Sequence, residues 1–83
     1  MNITGVRIKK LNGESHTKAV ASVTIDDALV VHDIKIIEGK NGLFVAMPSK
    51  KVGDRFMDIS HPITAHSRST LLDAVLNEYR KLA

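Results

Sequence analysis

Residues 30–47 hold two apolar runs separated by a turn, and this stretch narrows the fold more than any other part of the chain. Val30, Val31, Ile34, Ile36 and Ile37 precede the turn, and Leu43, Phe44, Val45 and Met47 follow it. Branched and aromatic side chains of this kind suit pleated, buried strands. Between the runs, Glu38-Gly39-Lys40-Asn41-Gly42 supplies an Asn-Gly step and a second glycine able to take positive φ, so a short hairpin loop is the least costly local conformation. Pro48 stops the second run, because it has no amide hydrogen to donate and its ring fixes φ. Lys50 and Lys51 come directly after it, so the hairpin delivers positive charge to the end of a sheet.

The flanking segments complete a sheet and a helix. Val6 and Ile8 alternate with Arg7 and Lys9, which predicts a strand over residues 2–11 with one wet face and a turn at Asn12-Gly13. From Thr17 to Ile25, Ala19, Ala21, Val23 and Ile25 oppose Lys18, Ser22 and Thr24, a second half-buried strand whose small alanines suit close approach by a covering element. Asp26-Asp27 marks a turn, the third strand runs from about Leu29 to Ile37, and the fourth from Leu43 to Met47. Ser49 to Asp54 is expected to be a loop and Arg55 to Ile59 a short fifth strand. His61-Pro62 biases the chain away from helix. Leu71, Leu72, Val75, Leu76, Tyr79 and Leu82 then recur at spacings of three and four, one apolar stripe on a helix that begins at Thr64 or Ser67 and ends near Leu82. The expected fold is therefore α+β: an antiparallel sheet of four to five strands followed by a C-terminal α-helix packed on one face. With no repeats, low-complexity tracts or linker, residues 1–83 are expected to form a single domain.

A chain of 83 residues buries only about 60 to 65% of its unfolded surface, so its stability margin is thin. One helix of about 17 residues is roughly 25 Å long and covers one face of such a sheet. The third and fourth strands look apolar on both faces, with Val31 and Ile37 opposing Val30, Ile34 and Ile36, and Leu43, Val45 and Met47 opposing Phe44 and Ala46. A homodimer is the expected solution, formed through the uncovered face or edge of the fourth strand, with Leu43, Phe44, Val45 and Met47 at its interface. The alternative is that twist and loop packing hide this surface within one chain. The absence of cysteine excludes disulfides and thiolate zinc sites. No apolar run reaches the length of a signal peptide or of a membrane span of about 18 residues, so a cytoplasmic protein without membrane insertion is expected.

The net charge of +3 is modest, and its position matters more than its size. Lys50, Lys51 and Arg55 cluster with only Asp54 among them, whereas the charges before residue 50 are nearly balanced. Adjacent lysines with a nearby arginine can reach successive phosphates and release condensed counterions; a merely solvated, solubilising loop accounts for the residues equally well. Arg68, Ser69 and Thr70, with Ser67, fall at the start of the helix, where free amides and a partial positive charge favour an anion. Ordinary capping accounts for the hydroxyls, but not for a cation at the positive end of the helix, so Arg68 is the better candidate for contact. Arg7, Lys9, Lys10 and Lys18 are read as edge-strand charges that discourage aggregation. Arg80 and Lys81 suit the helix dipole. Asp58, His61 and His66 do not match a metal-ligand spacing, and no metal or cofactor is expected. Ser60, His61 and Asp58 are adjacent in sequence, which is not the geometry of a triad, so no catalytic residue is assigned and the chain is not expected to be an enzyme. Aromatic side chains are few, and Phe44 and Tyr79 are claimed by the core, leaving Phe56 beside the basic cluster as the one free to stack.

Four blocks in this order, NITGVRIKK, VVHDIKIIEGKNGLFVAMPSKK, DISHPI and SRSTLLDAVLNEY, closely resemble the SpoVG family of bacterial septation and sporulation regulators, over nearly the whole chain. The resemblance implies a small nucleic-acid-binding regulator, usually a dimer, and favours phosphate contact for Lys50, Lys51 and Arg55. DNA and RNA are both admitted, since neither a recognition-helix turn nor an RNA-binding aromatic signature is present. A protein-interaction adaptor in cell division or sporulation, binding nucleic acid only non-specifically, is the rival expectation. Three departures fall on the proposed binding surface. The basic pair is Lys-Lys where the family commonly has an arginine, the following loop is about one residue shorter, and Thr70 stands where a lysine is common. Lysine lacks the planar fork that reads guanine or clamps phosphate, which points to weaker sequence discrimination.

Overall fold

The computed structural model describes residues 1–11, 13 and 16–82. Four strands, β1 (Ile3–Lys10), β2 (Thr17–Ile25), β3 (Leu29–Gly39) and β4 (Gly42–Ala46), form an antiparallel sheet in the order β1-β2-β3-β4. Two further strands, β5 (Ser49–Val52) and β6 (Arg55–Asp58), pair only with each other, and the helix α1 (Ala65–Lys81) follows. The α+β architecture is the one the sequence predicts. Of the expected turn at Asn12-Gly13, Asn12 lies outside the described residues.

The core lies between α1 and one face of the sheet. Ala19, Ala21, Val23, Ile34, Ile36, Leu71 and Val75 are buried, and Ile3, Val6, Ile8, Val31, Leu43, Val45, Met47, Leu76 and Tyr79 pack around them. Ala19 and Ala21 of β2 are buried in this core, while the backbone of α1 comes closest to β1 and β4. Thr64 caps the helix, its Oγ1 accepting from the Ser67 amide at 3.1 Å, so α1 begins where the hydroxyl run predicts. At the other end Lys10 donates to the Leu82 carbonyl and sits 5.9 Å from the Tyr79 ring centroid, tying β1 to the helix terminus.

The turns follow the residues available to make them. Asp26 and Asp27 both take left-handed φ, 53° and 51°, and the Ala28 amide donates to the Ile25 carbonyl, a geometry that matches the twist of a hairpin. The Asn2 amide donates to Asp26 Oδ1 and the Asp27 amide to Thr4 Oγ1, which staples this turn to the start of β1. In the β3-β4 hairpin Gly42 takes the positive φ, 116°, and Lys40 and Asn41 do not.

The structure corrects the expected strand pattern at two places. Between Ala21 and Val23 the β2-β3 register shifts, because β3 carries an extra residue opposite Ser22, and Asp33 stands at φ 62°. This bulge turns Val31 onto the same face as Ile34 and Ile36, leaving Val30 and Ile37 with Lys35 on the other. The second correction is Ser49 to Asp54: this segment is not a loop, since Ser49–Val52 form β5 and the turn is confined to Gly53, at φ 63°, and Asp54. The ribbon is invisible to a burial pattern because all eight of its residues are exposed. The Ile59 amide closes its base by donating to the Pro48 carbonyl at 2.7 Å. Correspondingly, β4 ends at Ala46, one residue before the expected Met47, and β6 ends at Asp58, before Ile59.

Candidate nucleic-acid interface

Pairing in the ribbon sets the direction of each basic side chain. Lys51 stands opposite Phe56 and Lys50 opposite Met57, with Val52 opposite Arg55. Directly opposed residues share a face and successive residues alternate, so Lys51 and Phe56 point to one side while Lys50 and Arg55 point to the other. The adjacent lysines therefore do not address successive phosphates on one track, as a loop would have allowed; the ribbon is charged on both faces.

Arg55 and Arg68 come from the ribbon and the helix and meet across an open concavity of about 570 Å³, which Phe56, Met57, Asp58 and His61 also line. Arg68 is anchored at one point, Nη2 donating to the Pro62 carbonyl at 3.4 Å. His61 Nδ1 donates to the same carbonyl at 3.1 Å. That contact spends one ring nitrogen on a neighbouring backbone carbonyl. It also places the imidazole beside the two arginines, a position the Ser-His-Pro sequence does not signal. His32 Nδ1 meets Ser22 Oγ at 2.9 Å across the open face of the sheet.

The helix N-terminus is occupied by its own residues. Thr64 Oγ1 and the Ser67 hydroxyl bond each other and the backbone, and the Arg68 amide already donates to the Thr64 carbonyl. Arg68, Ser69 and Thr70 thus lie beyond the free amides. Thr70 Oγ1 donates to the His66 carbonyl at 3.0 Å, leaving its lone pairs for a donor, while Ser69 is exposed. Among the described residues the two ion pairs are Lys18–Glu38 and Glu78–Lys81, so Lys50, Lys51, Arg55 and Arg68 have no carboxylate within ion-pair distance. Four exposed cations without an ion-pair partner among the described residues can bind an anion without first breaking a salt bridge. Asp58, on the Lys51 side of the ribbon, is the one carboxylate lining the concavity.

The residues expected at a dimer interface divide between two faces. Leu43, Val45 and Met47 pack against the core of their own chain, and Phe44, expected in the core, projects from the opposite face and is 48% exposed. The outer edge of β4 has no neighbouring strand.

Fold and site together define a small α+β domain with a basic ribbon held beside a helix-borne arginine. The SpoVG family model matches residues 1–81. A protein of Alkaliphilus oremlandii named "Putative septation protein SpoVG" is 55% identical over 84 residues, covering all of this chain and 90% of its own length. Proteins of the same name from Finegoldia magna and Bacillus cytotoxicus are 57% and 53% identical, covering 98% and 99% of this chain and 76% and 86% of their own lengths. The chain belongs to the SpoVG family. No helix among the described residues is long and apolar enough to cross a membrane.

Proposed function

We propose that this protein is a nucleic-acid-binding regulator that acts in septation and sporulation by occupying its target, with no chemical step and no cofactor. The observation that carries the reading is the convergence of Arg55 and Arg68 on one open concavity, with Lys50 and Lys51 on the adjoining strand and, among the described residues, no carboxylate paired with any of the four. Lysine and arginine that neutralise phosphates release condensed counterions, which makes such binding steeply salt-dependent. The name these relatives carry, septation protein, supports the septation role. The test is fluorescence anisotropy of labelled duplex DNA, single-stranded DNA and RNA over a salt series, for the native chain and a Lys50→Ala, Lys51→Ala, Arg68→Ala variant. Binding that resists a scrambled competitor, with a log-log salt slope reduced by about 2 to 3 in the variant, is the expected result. Equal, weak binding of every probe by both proteins overturns it.

A second reading, an adaptor for a protein partner, is favoured by the ribbon's other feature: Val52, Phe56, Met57 and Ile59 are all more than half exposed. In that case the triple variant loses only non-specific nucleic-acid binding. For assembly, we propose a homodimer through β4. The β1 edge carries Arg7, Lys9 and Lys10, whereas β4, Gly-Leu-Phe-Val-Ala, has no charge to prevent pairing with a second copy.

A further inference from the structure

The face of the sheet turned away from α1 has no covering element, and its composition is not that of a surface left merely soluble. Its side chains are those opposite the core positions: Arg7 and Lys9 on β1, Val20 and Ser22 on β2, Lys35 and Ile37 on β3, and Phe44 on β4. The register aligns Lys9, Val20, Lys35 and Ala46 in one row across all four strands, and places Ile37 beside Phe44 in the next row toward the β3-β4 turn. Rows on one face are about 7 Å apart, and Lys9 and Lys35, two strands apart, are separated by about 10 Å. The Phe44 ring lies against Gly39, where a Cβ would stand 3.1 Å from its Cε1, so the glycine is what lets the ring settle on the strand. Ring and glycine border a shallow hollow of about 660 Å³ whose rim includes His16, Lys18 and Lys40. Lys18 is matched by Glu38 at 3.5 Å, while Arg7, Lys9, Lys35 and Lys40 have no carboxylate within ion-pair distance among the described residues.

We infer that this open sheet face is a platform for single-stranded nucleic acid, with a base stacked on Phe44 and the sugar-phosphate backbone running over Lys35 toward Lys9 and Arg7. The inference rests on the nucleic-acid reading above and adds a second surface to it. An exposed aromatic ring on a bare sheet beside rows of cations offers what a flexible strand needs, a π-face and spaced positive charge. A stiff duplex presents its bases edge-on in grooves and cannot lay one flat on the ring. The cations also argue against a second copy of the chain as occupant, because face-to-face packing would oppose like charges. An acidic protein is the other occupant that would satisfy the cations, and it needs no flat base stacked on the ring, which is what the test below separates.

Labelled oligothymidylate of 20 residues and a 20-base-pair duplex distinguish these cases, titrated by anisotropy against the native chain, Phe44→Leu, and a Lys9→Ala, Lys35→Ala variant. Phe44→Leu keeps an apolar side chain on the strand, and the lysine variant leaves the core untouched, so the two report independently if either is unstable by circular dichroism. The expected result is about a tenfold loss of oligothymidylate affinity in each, with duplex affinity nearly unchanged for Phe44→Leu. If the native chain binds oligothymidylate and both variants bind it equally well, the platform is overturned and the ribbon-helix reading stands. If the native chain binds neither probe, both readings fall. If poly-glutamate displaces oligothymidylate as readily as unlabelled strand does, and Phe44→Leu changes nothing, the face is an acidic-protein surface and the inference is overturned.

Discussion

Asp33 shows how one residue can redirect a strand. Its φ of 62° costs most L-residues about 1–2 kcal/mol, but aspartate tolerates the region, and the bulge it makes brings Val31 into the core row. Replacing Asp33 with valine is expected to destabilise the fold by about 1–2 kcal/mol in urea unfolding, while Asp33→Gly stays within about 0.5 kcal/mol of the native chain. Equal losses in the two variants would show that the aspartate side chain, and not its backbone conformation, matters. Ile34, fully buried at the centre of the sheet, makes the ordinary core contribution: Ile34→Ala is expected to cost about 2–5 kcal/mol, a large share of the total stability of a domain this size.

At the scale of elements, the helix and the ribbon are held by different means. The helix has a packed stripe and a threonine cap; removing the cap in Thr64→Ala is expected to cost about 1 kcal/mol, with Thr64→Ser close to neutral. The ribbon has neither a core nor a covering layer, and an isolated two-stranded ribbon is marginal in water. Its amides are therefore expected to exchange hydrogen much faster than those of β2 and β3 in the free protein, and to gain protection when nucleic acid binds. Ribbon amides as slow as those of β2 in the free chain would mean that another surface already covers it. Such looseness suits a binding element, since the strands can adjust to phosphate positions without disturbing the sheet.

The whole molecule has one covered sheet face, one open face and two strand edges of unlike chemistry. If β4 pairs with its copy, light scattering at micromolar concentration gives the mass of a dimer, and Ala46→Lys, which places a charge beside that edge, gives a monomer with an unchanged far-ultraviolet spectrum. A native chain that remains monomeric under these conditions removes the β4 assembly but leaves both nucleic-acid surfaces intact, because Arg55 and Arg68 lie outside β4 and Phe44 projects from the open sheet face, not along the strand edge.

The elements with a buried face were legible in the sequence. Alternation in β1 and β2, the branched run of β3 and the three-four spacing of α1 all record burial, and burial is what leaves a periodic trace in side-chain polarity. The resemblance carried by the four matched blocks likewise needed only residue order. What tertiary structure decided lies where burial is absent or periodicity is broken. The first strand of the exposed ribbon, Ser49–Val52, reads as a loop because nothing selects alternation in a strand wet on both faces, although its partner at Arg55–Asp58 is legible as a short strand, and Phe44 reads as core because an apolar run does not say which face the helix covers. The meeting of Arg55 with Arg68, and the row of Lys9 and Lys35, depend on strand register and on how the ribbon folds toward the helix. These are non-local pairings between residues far apart in the chain, set by backbone hydrogen bonds and packing that side-chain identity alone does not encode.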